Sequence, residues 1–180
     1  MTQPTLICAF TGHRPEKLPF GRDEAHPDCV QLKQRLSRVI VQLIGLGYSH
    51  FIAGAAQGVD TFAAEEVLSL KARFPQITLE IAVPCEHQAA RCSKADRKRC
   101  HQIRQAADCV TYMYAPNCLT PPNRYMVDQC DMLIAVYDGH GGGTRCTMTY
   151  AHSVRKALLE MRSALPKAFS HKHIETAPSS

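Results

Sequence analysis

Met132-Leu133-Ile134-Ala135-Val136-Tyr137 runs without a break into Asp138-Gly139-His140-Gly141-Gly142-Gly143-Thr144. The first six residues are apolar and β-prone and predict a buried strand. The glycines predict a turn, and a helix-like segment follows Gly143. Strand, glycine-rich turn and helix start, in that order, make a place to hold phosphate. Glycine lets the backbone approach a ligand closely. The helix then presents unpaired N–H groups and the positive end of its dipole. A second turn of this kind stands earlier, at Gly54-Ala55-Ala56-Gln57-Gly58-Val59-Asp60. Two such turns in one small chain point towards a nucleotide-like ligand.

Working outward, the same alternation of strand and helix recurs along the chain. Thr5 to Thr11 predicts a strand that ends in Gly12-His13-Arg14-Pro15. Leu32, Leu36, Val39, Ile40 and Leu43 fall at helical spacing, with Lys33, Arg35 and Arg38 on the opposite face. Tyr48 to Ala53 predicts the second strand, and Ala63, Val67, Leu70 and Phe74 mark a helix closed by Pro75. Ile77 to Val83 is the third strand. Ser93 and Asp96 have capping-box spacing before a helix with Cys100, Ile103 and Ala107 inward. Cys109 to Tyr114 is a short fourth strand, and Thr120-Pro121-Pro122 opens another helix. After the fifth strand, the helix beyond Gly143 is expected to turn Met148, Ala151 and Val154 inward. Leu158 to Met161 fits either a continuation of that helix or a sixth strand.

This order implies an α/β fold, a three-layer, doubly wound and mainly parallel sheet with helices on both faces. Ligands in such folds bind outside the carboxyl ends of the strands. All the glycine-rich turns fall at that edge. The 180 residues suit one domain, expected over 1–165, with a polar, mobile tail over 166–180.

Composition narrows the function classes. Apolar residues make up 45% of the chain, which excludes global disorder. The net charge of +5 favours anionic ligands without requiring nucleic acid. The run Lys94, Arg97, Lys98, Arg99 and Arg104 reads as the solvated face of a helix. Nine cysteines, an odd number without any Cys-x-x-Cys, argue for reduced thiols and a cytoplasmic location. Cys85-Glu86-His87 and Cys100-His101 place potential ligands side by side, a spacing that disfavours a shared metal, and no metal site is expected. No stretch has transmembrane length, so no membrane partner is expected.

The candidate site residues lie in four segments. Gly142, Gly143 and Thr144 suit anion binding, with Arg145 beside them to add a charged fork. Neither a Walker pattern nor Gly-x-Gly-x-x-Gly after the first strand is present. In the second turn, Gly58 permits a left-handed backbone, and Asp60 suits both helix capping and a ribose hydroxyl. Gly54 opens the same turn. Gly12, His13 and Arg14 stand on a rigid loop suited to a phosphate or base, and His13 lies in the titration range near neutral pH. Arg124 is placed to reach the same edge, and Asp138 is a second candidate for ligand hydroxyls. Glu65 and Glu66, adjacent on a helix, read as a solvated pair.

Thr11 to Pro15, Gly54 to Asp60, Val83-Pro84-Cys85, Asn123 to Asp128 and Ile134 to Gly139 with Gly142-Gly143-Thr144 together resemble the YpsA-like family. That family sits in a superfamily with DprA-like and LOG-like proteins, and the resemblance covers roughly residues 5 to 157. It implies a Rossmann-like domain that binds a nucleotide or nucleotide-derived ligand, such as AMP or ADP-ribose, as a sensor. It also implies a homodimer. LOG-like relatives are phosphoribohydrolases with a catalytic glutamate just after the glycine turn. Here that stretch is Thr144-Arg145-Cys146-Thr147, without a carboxylate. The chain departs from the family at Cys92, Cys100 and Cys146, where aromatics are expected, and at Pro121-Pro122, where a more basic pair is expected.

Three readings follow. The first is a binding domain for a nucleotide-like ligand, since no nucleophile–base pair is evident. The second is a nucleotide-processing hydrolase using Asp60, Asp138 or Glu16 as its carboxylate. The third is single-stranded nucleic-acid binding, ranked last because aromatics are only 7% and tryptophan is absent.

Overall fold

The computed structural model describes residues 5–84, 93–113 and 122–165. Six strands form one sheet: β1 (Leu6–Gly12), β2 (Tyr48–Gly54), β3 (Thr78–Val83), β4 (Cys109–Tyr112), β5 (Met132–Val136) and β6 (Ala157–Met161). Their spatial order is β4-β3-β2-β1-β5-β6, and every paired neighbour is parallel. Five helices connect them: α1 (Pro27–Gly45), α2 (Val59–Leu70), α3 (Lys94–Ala106), α4 (Pro122–Gln129) and α5 (Gly143–Ser153). This is a Rossmann-like α/β fold.

Strand alternation divides the core in two. Cys8, Phe10, Phe51, Leu79, Ile81, Ile134 and Val136 face one side, where they meet Leu32, Leu36 and Ile40 of α1 and Phe62, Ala63 and Val67 of α2. Ala9, Ile52, Ala82 and Leu133 face the other, against Met126 and Val127 of α4 and Ala151 of α5. The strands therefore read as continuous apolar runs because both faces are covered. The chain order reverses direction between β1 and β5. Strands 2 to 4 are added on one side of β1, and strands 5 and 6 on the other, so a crevice opens at that boundary.

Several local expectations are refined by the fold. Leu158 to Met161 belongs to β6, in register with Leu133 to Val136. α5 ends because Arg155 takes a positive φ of 57°, with Arg155 N–H donating to His152 O (3.1 Å) and Lys156 N–H to Ala151 O (2.9 Å). That is the Schellman pattern with arginine where glycine is usual. Val154, at the cap, is therefore exposed and not turned inward. α2 ends at Leu70, and Phe74 packs on the core from the turn that follows. Ser93 does cap α3, accepting from Asp96 N–H at 3.1 Å.

The solvated faces are less solvated than expected. Lys33 reaches Glu24 at 2.6 Å, and Arg35 Nη2 donates to Arg162 O (2.8 Å) and Ser163 O (3.1 Å). Arg99, from the basic run, grips Glu65 through Nε and Nη2, both at 2.6 Å, and also holds Glu24. Glu65 is thus a partner across two helices, not half of a free pair. Cys85-Glu86-His87, Cys92, Tyr114, Thr120-Pro121 and the tail from 166 lie outside the described residues.

Candidate functional site

At the reversal point the carboxyl ends of the strands frame a cleft of about 430 Å3. Thr11 and Gly12 of β1 and Gly54 of β2 form its floor, with Ala55 and Ala56 beyond. His13, Arg14, Glu16 and Lys17 come from the loop after β1, which contains a short 3-10 turn at Pro15–Lys17. Asp60 enters from the first turn of α2, Pro84 follows β3, and Asn123 stands on α4. Gly143 and Thr144 bring the start of α5.

Close packing of backbone fixes one half of this site. A Cβ on Gly12 would fall 2.5 Å from Val59 Cβ, so β1 and α2 can meet only through glycine. Gly58 holds a φ of +88°, and a Cβ there would lie 2.6 Å from His13 O. Val59 N–H donates to that same carbonyl at 3.3 Å. A Cβ on Gly54 would strike the Asp60 carboxylate. Asp60 therefore occupies the space left by Gly54, accepting a hydrogen bond from the Ala56 backbone. Burial pushes its carboxyl up to about 7, against that hydrogen bond and the nearby Arg14 charge, which both pull it down. An acid so placed changes charge near neutral pH.

His13 is buried, and its Nε2 accepts from Asp138 N–H at 3.3 Å. Its ring lies beside Tyr137, 5.6 Å between centroids. Burial lowers its pKa, in keeping with a neutral ring whose Nε2 accepts. The imidazole thus ties the loop after β1 to the loop after β5. Arg14, next to it, is exposed, and its guanidinium makes no hydrogen bond or ion pair among the described residues. Lys17 Nζ donates to Gly141 O at 2.7 Å and sits against Gly142, whose φ is +146°. Thr144 is buried and lines the cleft, and its hydroxyl takes no partner among the described residues.

Seven of the candidate residues thus line one hollow: Gly12, His13, Arg14, Gly54, Asp60, Gly143 and Thr144. Four stand outside it. Gly58 lines a neighbouring hollow and serves the close approach just described. Arg124 stacks on Tyr150, 5.0 Å from the ring centroid. Asp138 spends its carboxylate on Ser163, accepting from the backbone N–H at 2.9 Å and from the hydroxyl. Gly142 shapes the loop beside Lys17.

Lys17 lines the cleft without having been singled out in the sequence, and Pro84 and Asn123, read there only as parts of the resemblance, line it too. Asn123 stands on α4, and two residues on, Tyr125 of the same helix joins a polar cluster around Glu80. Tyr125 donates to Glu80 at 2.7 Å, Thr111 does so at 2.6 Å, and His50 Nε2 lies at 2.9 Å from the same carboxylate. Thr78, which gives its proton to Ser49 O, is left to accept from His50 Nδ1 at 2.8 Å. The His50 bond, then those from Thr111 and Tyr125, outweigh burial and draw Glu80 down to about 2. Among the described residues there is no His/Cys/Asp/Glu group that could hold a metal, and no helix long and apolar enough to cross a membrane.

Comparison with known proteins places this arrangement. The YpsA family model, described as the YspA SLOG family, matches residues 8–162. The chain belongs to this family. It is 30% identical over 137 residues to a UPF0398 protein of Halalkalibacterium halodurans, covering 73% of this chain and 72% of that one. It is also 30% identical over 142 residues to the SPbeta prophage-derived protein YoqJ of Bacillus subtilis, covering 70% and 83%. Among solved structures, DNA processing protein A (DprA) of Streptococcus pneumoniae shares the fold, with a TM-score of 0.62 at 16% identity. That match takes in 93% of this SLOG chain, which spans about half (52%) of the DprA chain.

Proposed function

We propose that the cleft binds a nucleotide or nucleotide-derived phosphate ligand, and that the protein serves as a sensor-like binding domain. One observation carries the reading: the N-terminus of α5, the Thr144 hydroxyl, Arg14 and Lys17 converge on a single hollow at the reversal point of the sheet. Helix N–H groups and the dipole favour phosphate oxygens, and an unengaged guanidinium adds a charged fork. The hollow is of ligand size. Asp60 lines the same hollow, where a ribose hydroxyl can meet its carboxyl. Calorimetry with AMP, ADP-ribose and a short single-stranded DNA tests this. Saturable binding of a nucleotide is expected, weakened about 10-fold or more in Arg14→Ala by loss of a charged hydrogen bond. Failure of every nucleotide to bind at millimolar concentration overturns it.

The hydrolase reading has one observation in its favour. Asp60, with a carboxyl near 7, can accept or give a proton at neutral pH inside the same cleft. Release of free base from a nucleoside monophosphate, measured by chromatography and lost in Asp60→Asn, would move the protein from binder to enzyme. Absence of release leaves the binding reading standing.

A further inference from the structure

β6 closes one edge of the sheet: it pairs with β5 on one side, and no described strand lies on the other. Tyr137 N–H donates to Met161 O at 2.8 Å, so Ala157, Leu159 and Met161 turn their backbone groups towards β5. Leu158 and Glu160, at the alternate positions, turn N–H and C=O outward, where no described strand receives them. Natural sheets blunt such edges with proline, lysine or a covering element. The strand Ala157-Leu158-Leu159-Glu160-Met161 has neither proline nor lysine, and Leu159 is 36% exposed. Glu160 is exposed as well and forms no ion pair among the described residues. A row of open main-chain groups beside an apolar side chain is a template for another strand.

The residues of the edge say which strand it suits. Lay a second copy antiparallel, with a two-fold axis at Leu158. Leu158 then meets its own copy, and the two exchange both main-chain bonds. Glu160 lies opposite Lys156 at both ends, where its N–H reaches the Lys156 carbonyl and the side chains pair. Lys156 N–H is already given to Ala151 O, so each end gains one main-chain bond. On the other face Leu159 packs over Ala157 of the second copy.

Other registers fail. An axis at Leu159 sets Lys156 against Arg162, and one at Glu160 sets that carboxylate against itself. An axis at Ala157 runs Glu160 into Val154, the cap of α5. One at Met161 needs the Arg162 carbonyl, which Arg35 already holds. Axes between residues oppose outward backbone groups to inward ones.

We infer that the protein forms a two-fold dimer through β6, joining two six-stranded sheets into one, with Glu160–Lys156 ion pairs fixing the register. The family resemblance implies a homodimer and no more; the surface, the symmetry and the register come from this edge. The pairing consumes the β6 edge of both copies, so it closes at two. β6 gives no residue to the cleft, and the inference stands independently of the nucleotide reading.

Sedimentation velocity of the full chain over a range of protein concentrations tests it, with thermal melts as the check on folding. The unaltered chain is expected to run as a reversible dimer. Glu160→Lys sets lysine against lysine at both ends and should weaken the dimer at least about 10-fold. Lys156→Glu should do the same. An equimolar mixture of the two restores opposite charges at both ends, and its dimer should return to within about 3-fold of the unaltered affinity. Lys156→Glu also gives up the bond from Lys156 Nζ to Asp128 O, so Glu160→Gln serves as a second probe, expected between Glu160→Lys and the unaltered chain. A monomer at every concentration overturns the inference. So does a dimer that Glu160→Lys leaves as strong as before, which would place the contact on another surface. Folded variants whose mixture stays monomeric overturn the register, and the inference with it.

Discussion

The two glycine-rich turns differ in what their glycines do. In the turn after β2, Gly54 and Gly58 have no room for a methyl group, because Asp60, His13 and Pro15 crowd them. In the turn after β5, Gly139, Gly141 and Gly143 have nothing within 4 Å of where a Cβ would stand. The first turn is a packing joint, and its glycines bring β1, β2 and α2 together. The second is a loop ahead of a helix, open except at Gly142, where the flexible end of Lys17 sits against it. Similar composition therefore conceals two jobs, and substitution separates them: changes in the first turn should strike folding, and changes in the second should strike ligand binding.

Gly58→Ala gives the largest expected effect. It combines a φ of +88° with a Cβ 2.6 Å from a backbone carbonyl that cannot give way. Strain of that kind and the clash together cost about 3 kcal/mol, or roughly 6–12 °C in melting temperature for a chain of this size. A melting temperature within about 2 °C of the unaltered protein would show that the joint is softer than its geometry. Gly54→Ala comes next, at about 2 kcal/mol, because its clash is with a side chain. Adding Asp60→Ala should recover part of that loss. Urea unfolding of the two single variants and the double variant checks it, with a coupling of about 1 kcal/mol expected.

Asp60 sharpens the comparison through pH. Its folded pKa lies above the unfolded value, so folding binds the proton, and its contribution is full at low pH. Stability is then lost as pH rises through the window from about 4 to about 7. Asp60→Asn should remove that loss, raising the melting temperature by about 4 °C at pH 8 and changing it little at pH 4. Glu80 runs the other way. Its folded value near 2 gives stability present above about 4.5 and lost as pH falls towards 2. Thermal melts of Asp60→Asn against the unaltered chain across pH 3–9 separate the two groups. A pH-independent difference would count against a titrating Asp60.

The fold was legible because its signals are local. Apolar strand runs, Ser93 with Asp96, and the glycine turns each announce themselves within a few residues. β6 was not, because the stop before it is Arg155 in a left-handed conformation, a place where glycine would have marked the end of α5. The lining of the candidate site was legible at the strand ends, where His13, Arg14, Asp60, Gly143 and Thr144 stand next to turn residues. Lys17 was missed since its meaning comes from Gly141, which is remote in the chain. Asp138 and Arg124 looked available because Ser163 and Tyr150 are likewise invisible from their own neighbourhoods. A long-range partner leaves no periodic trace. Nor does a glycine's surroundings: Gly54 and Gly143 read alike until Asp60 is seen folding back onto one of them.

Gly143→Asp is the smallest expected effect on folding and the sharpest on function. The site is exposed, a Cβ there meets open space, and the residue begins α5. A carboxylate at a helix start is favoured by the dipole, so stability should hold or rise by about 0.5 kcal/mol. The same carboxylate stands where a phosphate would sit, and repulsion should abolish nucleotide binding. Gly143→Ala fills the same space without the charge, and binding should survive within about 10-fold. Thermal melts and calorimetry on the pair separate charge from bulk. Equal loss in both variants would mean that the ligand needs the bare backbone at this position. Loss of folding in either would place the second turn with the first, as another packing joint.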